Sequence, residues 1–186
     1  SAGAAASWLL SDHDLPRPGM YIPSLDEVAG RRMLLFPEQG HGDMIQFARY
    51  APLLAARGAR VTLQTYPELQ RLMQSLDGVE QVIALGKRPP QVDFVTPLLS
   101  LPMVFATTPA SIPPQGPYLH APVERLAVWR QRLGAPMRPR VGLAWWGSQH
   151  IPKRSLPIDA LSPLLSRGAD WEFHALQKEI PAAQRT

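Results

Sequence analysis

The sequence predicts an α/β fold: a Rossmann-like, doubly wound parallel sheet followed by an incomplete second β-α-β unit. Short apolar, β-branched runs alternate along the chain with segments of helical periodicity, which is typical of parallel strands joined by right-handed helical crossovers. Proline accounts for 21 of the 186 residues, against about 5% in an average protein. Such a content indicates many element boundaries and excludes a helical bundle.

The first part of the pattern runs β-α-β-α-β. Strands are predicted over residues 33–36, 61–65 and 82–85, with a further candidate strand over 92–96. The first helix is predicted from Met44 to Gly58, with Asp43 as its N-cap, and a second helix over 67–75. Pro52 lies inside the first helix, so we expect it to kink the helix or break it in two.

A second β-α-β pattern follows an amphipathic helix predicted over 122–133. It consists of a strand over 141–145, a loop over 146–155, a helix over 157–165 and a strand over 171–176. A lone unit of about 50 residues cannot cover both faces of its sheet. We therefore expect three segments: an extended lead-in over 1–30, a first domain over 31–137, and the truncated start of a second domain over 138–186.

The composition excludes several classes of protein. With 45% apolar and 18% charged residues, the chain is globular rather than disordered. It has no cysteine, which excludes disulfides, thiolate metal sites and cysteine nucleophiles. No run of Lys and Arg exceeds two residues despite a net charge of +4, so we expect no nucleic-acid partner. No apolar run is long enough for a signal peptide or a spanning helix, which predicts a cytoplasmic protein without stable membrane insertion.

The loop after the first predicted strand is the leading candidate site, because ligands of open parallel sheets bind at the carboxyl ends of the strands. The loop consists of Glu38, Gln39, Gly40, His41, Gly42 and Asp43. Its glycines allow close approach of a ligand to the backbone, and the helix that follows offers free N–H groups. Asp43 and His41 are the candidate bases. The alternative for Asp43 is a purely structural role as a helix cap.

A dinucleotide site is disfavoured at this loop. The third glycine of the dinucleotide fingerprint is replaced by Ile45, and the second strand ends in Gln64, Thr65 and Tyr66 rather than an acidic residue. The sequence Asp12-His13-Asp14 resembles the carboxylate pair of metal-dependent sugar transferases, but no strand precedes it. We interpret it as a turn and predict no metal site.

The loop over 146–155 is the second candidate. It is polar and basic, and its predicted ligand is a diphosphate bound by a set of four side chains: Ser148, Lys153, Arg154 and Ser155. Ser155 is also expected to cap the next helix. The alternative is a solvated pair of basic side chains.

The run LLFPEQGHGDMIQFARYAPL over 34–53 resembles the bacterial glycosyltransferase-like domain found behind tetratricopeptide repeats, which is related to ADP-heptose heptosyltransferases. Segments later in the chain follow that family's order: 97–102, 117–119, 140–155 and 176–178. The resemblance covers residues 31–178. The motif Glu-Gln-Gly-x-Gly-Asp is its most specific part.

This resemblance implies a GT-B architecture, in which 31–137 holds the acceptor and the second domain holds a nucleotide sugar. It implies Asp43 as general base for inverting transfer of a hexose or heptose, Lys153 and Arg154 as diphosphate contacts, and no metal or other cofactor. The acceptor, a glycan, lipid or protein, is left open. That family continues beyond Lys178, so we expect this chain to be inactive alone. The competing hypothesis is a non-catalytic Rossmann-like interaction module that self-associates as a homo-oligomer.

Overall fold

The structure, a computed structural model, describes residues 24–113, 116–147 and 155–178. The chain divides between Arg125 and Leu126 into two compact units.

The first unit contains a four-stranded parallel sheet. In chain order its strands are β1 (Arg32–Phe36), β2 (Arg60–Thr65), β3 (Val79–Ala84) and β4 (Phe94–Pro97). Their spatial order is β3-β2-β1-β4. The predicted mixed α/β fold with a parallel sheet is therefore confirmed, and it is consistent with a Rossmann-like fold.

The strand order reverses at β1. From β1 the chain adds β2 and then β3 on one side, and returns to the other side of β1 for β4. Where the connections from two neighbouring strands run to opposite sides of the sheet, a crevice opens at the carboxyl ends of those two strands. The loop after β1 lies at this point of reversal.

The helices of the first unit are short, and two of them carry a proline in their first turn. Those before the division point are α1 (His41–Phe47), α2 (Ala51–Ala56), α3 (Gln70–Met73) and α4 (Leu101–Val104). The predicted break at Pro52 is confirmed, since a 3-10 turn over Ala48–Tyr50 separates α1 from α2 and Pro52 lies in the first turn of α2. Gly58 ends α2 with a φ of +84°, a conformation that favours glycine.

The two faces of the sheet are packed differently. Because side chains alternate along a strand, Met33 and Leu35 of β1 lie in a large apolar cluster with residues of α1 to α4, such as Met44. Leu34 and Phe36 lie in a smaller cluster on the other face. Among the described residues no helix contributes to that smaller cluster. The double winding of the sheet thus remains a prediction.

The second unit contains a β-α-β motif, as predicted. Helix α5 (Val123–Leu133) spans the division point, and β5 (Arg140–Leu143) pairs in parallel with β6 (Glu172–Ala175). A 3-10 turn over Ile158–Leu161 and helix α6 (Ser162–Leu165) connect the two strands. None of the helices in the described part of the chain has the length and apolar character that crossing a membrane requires.

Candidate functional site

Glu38 joins the carboxyl ends of β1 and β4. It follows β1, and its carboxylate accepts a hydrogen bond from the backbone N–H of Leu99, just after β4. Its Oε2 is buried and has no hydrogen-bond partner within the described ranges. Burial raises the pKa of Glu38, and the Leu99 hydrogen bond opposes this rise by favouring the charged form. The sequence predicted Glu38 only as a loop residue, whereas the structure gives it a half-buried side chain with one buried carboxylate oxygen at the point of reversal.

Asp43 is not the N-cap of α1, and that prediction is wrong. The helix begins earlier, at His41, because extended Gly40 (φ −72°, ψ 178°) takes the N-cap position and makes Asp43 the third helical residue. The Asp43 carboxylate reaches back and accepts a hydrogen bond from the Gly40 N–H through Oδ2, at 3.1 Å. Within the described chain Oδ1 accepts no hydrogen bond, and the residue is partly exposed. One carboxylate oxygen is thus held by the loop while the other is available.

Tyr66, the first residue after β2, fixes the opposite side of the loop. Its hydroxyl donates a hydrogen bond to the Gln39 carbonyl oxygen. Its ring centroid lies 4.6 Å from that of His41, whose Nε2 is 3.6 Å from Oε2 of Glu68. Burial, and secondarily the negative charge of Asp43, raise the pKa of Tyr66, so the phenol stays a hydrogen-bond donor. In the sequence, Tyr66 was notable only because a dinucleotide site would have an acidic residue near that position; its contact with the loop was not predicted.

The structure therefore brings the predicted loop residues together at one edge of the sheet. Gln39 and Gly40 are held through their backbone atoms, and His41 is 55% exposed at the surface of the site. In the part of the chain that is described, no group of three or more His, Asp and Glu side chains converges as a metal site would. The roles assigned to His41 and Asp43 remain predictions.

At Gly42 neither the backbone conformation nor the packing of the loop requires a glycine. It is the second residue of α1, its φ lies outside the left-handed region, and a Cβ placed on it would meet nothing within 4 Å. Glycine in a helix is unfavourable relative to alanine. Open space at the first turn of a helix fits the close approach of a ligand to backbone N–H groups.

We expect Gly42→Ala to raise the free energy of unfolding by about 0.5–1 kcal/mol, because alanine is the better helix former. Urea unfolding followed by circular dichroism measures this change. The matched control is Gly86→Ala, since a Cβ placed on Gly86 would also meet nothing within 4 Å, but Gly86 has a φ of +82°. The control should lose about 1 kcal/mol through left-handed strain. A destabilised Gly42→Ala variant would contradict the open-space interpretation.

The loop over 146–155 is described only at its ends. Ser148, Lys153 and Arg154 lie outside the described residues. The capping prediction for Ser155 is wrong: its hydroxyl accepts a hydrogen bond from the Gly147 N–H at 3.1 Å. The 3-10 turn that follows starts at Ile158 with Pro157 as N-cap, since the fixed φ of proline suits the start of a helical turn.

Gln177 closes this second loop, a role that sequence reasoning missed. Its Oε1 accepts hydrogen bonds from the N–H groups of Trp145 and Trp146 at 3.2 and 2.9 Å, and its Nε2 donates to the Trp146 carbonyl at 2.9 Å. The Leu156 N–H donates to the Trp145 carbonyl at 2.8 Å. Both ends of the loop are therefore joined after β5.

No protein-family model, curated protein or solved structure matches this chain. The fold and the loop define a mixed α/β protein whose candidate site lies where the order of a parallel sheet reverses.

Proposed function

We propose that the chain forms the acceptor-side part of a metal-independent, inverting glycosyltransferase of the GT-B type, together with the start of its donor domain. The observation that carries the proposal is the Asp43 carboxylate at the point of strand reversal, with Oδ2 held by Gly40 and open space at Gly42. The resemblance of the loop sequence to the glycosyltransferase-like domain supports it.

In this proposal Asp43 is the general base. The acceptor hydroxyl donates its hydrogen bond to Oδ1 and transfers its proton there as the acceptor oxygen bonds to the anomeric carbon. The bond from that carbon to the nucleoside diphosphate breaks on the opposite side, and the diphosphate leaves with the electron pair. The Gly40 N–H keeps the carboxylate oriented during this step.

Two neighbours of Asp43 are positioning residues. Glu38 contacts the turn after β4 through the backbone N–H of Leu99, and in this proposal it positions that turn beside the site. Tyr66 holds the Gln39 carbonyl and so orients the chain that leads into α1. The His41 ring lies tilted against that of Tyr66, with 4.6 Å between the centroids. His41 lies at the rim of the site and is the second candidate to touch the acceptor.

The donor side of the proposal rests on the second loop. Ser148, Lys153 and Arg154 would contact the diphosphate, because cations must meet the charge of the leaving group where no metal takes part. Gln177 supports this role by anchoring the backbone from which the loop starts.

A second candidate function is a self-associating interaction module without catalytic activity. It is favoured by apolar side chains of α5 that are exposed at helical spacing: Leu126, Trp129 (51% exposed) and Leu133. Exposed apolar helix faces mark protein interaction sites.

Calorimetric titration of ADP, UDP, GDP and NAD into this chain and into the natural gene product that contains it distinguishes the two functions. We expect one nucleoside diphosphate to bind the gene product, and NAD to bind neither protein. Absence of nucleotide binding, together with dimers in sedimentation velocity, would contradict the transferase proposal and support the interaction module. Binding of NAD would indicate a dinucleotide enzyme instead.

A further inference from the structure

A cavity of about 250 Å³ lies beside the end of α1, apart from the loop over 38–43. Phe47, Pro102, Pro109 and Ile112 form the apolar part of its wall. It exceeds the roughly 150 Å³ cavity that holds a benzene molecule, so it has room for an aromatic ring or a short acyl chain. Ile112, on its rim, is 53% exposed, and a bound apolar group would cover it.

Arg49 supplies the positive charge of this cavity, and its guanidinium is held in place on several sides. Nε donates to the Gln46 carbonyl at 2.8 Å, Nη1 to the Pro113 carbonyl at 3.4 Å, and Nη2 to the Tyr118 hydroxyl at 3.3 Å. The guanidinium carbon also lies 4.8 Å from the centroid of the Tyr118 ring. Since a guanidinium has five N–H groups, two remain without a partner among the described residues, one on each terminal nitrogen.

The charge of Arg49 is not balanced locally. In the described ranges no carboxylate lies within 4 Å of its guanidinium. The residue is partly buried, and a cation withdrawn from water is stabilised by an anion that pairs with it. Tyr50 and Thr107, which also line the cavity, are hydrogen-bonded to each other: the Tyr50 hydroxyl donates to Oγ1 of Thr107 at 3.0 Å.

We propose that this cavity is a binding site for a small carboxylate that carries an apolar ring or chain. The carboxylate pairs with the two remaining N–H groups of Arg49, and the apolar part fills the space between Phe47, Pro109 and Ile112. The ordered guanidinium loses little further freedom on binding, which favours affinity.

The test uses 3-phenylpropionate as probe, titrated into the full chain and followed by saturation-transfer NMR and calorimetry. We expect saturable binding, and weakening by about tenfold or more in Arg49→Met, which keeps an apolar stem but loses the charge-assisted hydrogen bonds. Arg57→Met is the matched control, because the Arg57 guanidinium also lies 4.8 Å from an aromatic ring centroid, that of Phe105, but does not line the cavity. The control should bind the probe as the wild type does.

Two further measurements keep the outcome decisive. The neutral analogue 3-phenylpropanamide should bind about tenfold more weakly than the acid. Ile112→Glu changes an exposed side chain, so the variant should fold, and its negative charge at the rim should repel the probe. No binding of 3-phenylpropionate at about 10 mM, equal binding of the amide, or equal losses in Arg49→Met and Arg57→Met would overturn the proposal. No nucleotide enters this test, so its failure is separate from failure of the transferase.

Discussion

Asp43→Ala should reduce sugar transfer by the natural gene product by at least about a hundredfold, because a positioned general base contributes roughly 10²–10⁴ to the rate. The fold should persist, since the substitution removes one hydrogen bond to the exposed N–H of Gly40 and a carboxylate near a helix N-terminus. Such a carboxylate stabilises by about 0.3–1 kcal/mol. Initial rates with a radiolabelled nucleotide sugar measure the effect, and circular dichroism checks the fold.

Asp43→Asn separates catalysis from capping. The amide oxygen can still accept the hydrogen bond of the Gly40 N–H, but the amide cannot take a proton from a hydroxyl. If Asp43 is the base, Asn and Ala should lose similar amounts of activity. A rate near that of the wild type in Asp43→Asn, with a loss only in Asp43→Ala, would reduce Asp43 to a residue that orders the loop.

Gly42→Ala provides an independent check at the adjacent residue. The scaffold has room for the added methyl group and should become more stable. If the acceptor approaches the first turn of α1, the same methyl group should raise KM for the acceptor. If the acceptor bound away from α1, Gly42→Ala should increase stability without weakening acceptor binding.

The two buried strands that consist mainly of apolar or β-branched residues could be predicted closely from the sequence. The predicted strands over 33–36 and 61–65 correspond to β1 and β2, each of which begins one residue earlier. Both are buried on both faces after their first residue, so apolar or β-branched side chains occupy most positions. Gln64 of β2 is a buried polar exception. The predicted strand over 82–85 started three residues too late, because β3 begins at Val79 and continues through Glu80 and Gln81, which are exposed and polar.

The position of the candidate site could be predicted, but its internal contacts could not. A polar loop with two glycines after a buried strand is visible in the sequence. The contact of Tyr66 with Gln39 joins residues 27 positions apart, and that of Glu38 with Leu99 joins more distant ones. Such pairs depend on strand order and register, and periodicity within a segment carries no information about either. The same holds for Gln177 and Trp146 in the second unit.

Leu35→Ala should lower the free energy of unfolding by about 2–5 kcal/mol, which is the usual cost of truncating a buried leucine. Leu35 is fully buried in β1, an interior strand of the sheet, within the cluster that includes Met44 of α1. Because a domain is stable by only about 5–15 kcal/mol, this loss should be visible as a large decrease in the urea midpoint.

Leu34→Ala is the matched comparison, since Leu34 is the neighbouring residue and is 1% exposed, but lies in the smaller cluster on the other face. Both substitutions remove the same groups from an apolar environment, so any difference between them reflects how far the surroundings relax into the space. The larger cluster is closed by residues of four helices whose positions are fixed by the chain, so its side chains should move less into the space left by the truncation. Leu35→Ala should therefore lower the free energy of unfolding more than Leu34→Ala. An equal or greater loss in Leu34→Ala would show that the second face is packed just as rigidly. It would also mean that the loop carrying Asp43 is supported from both sides of β1.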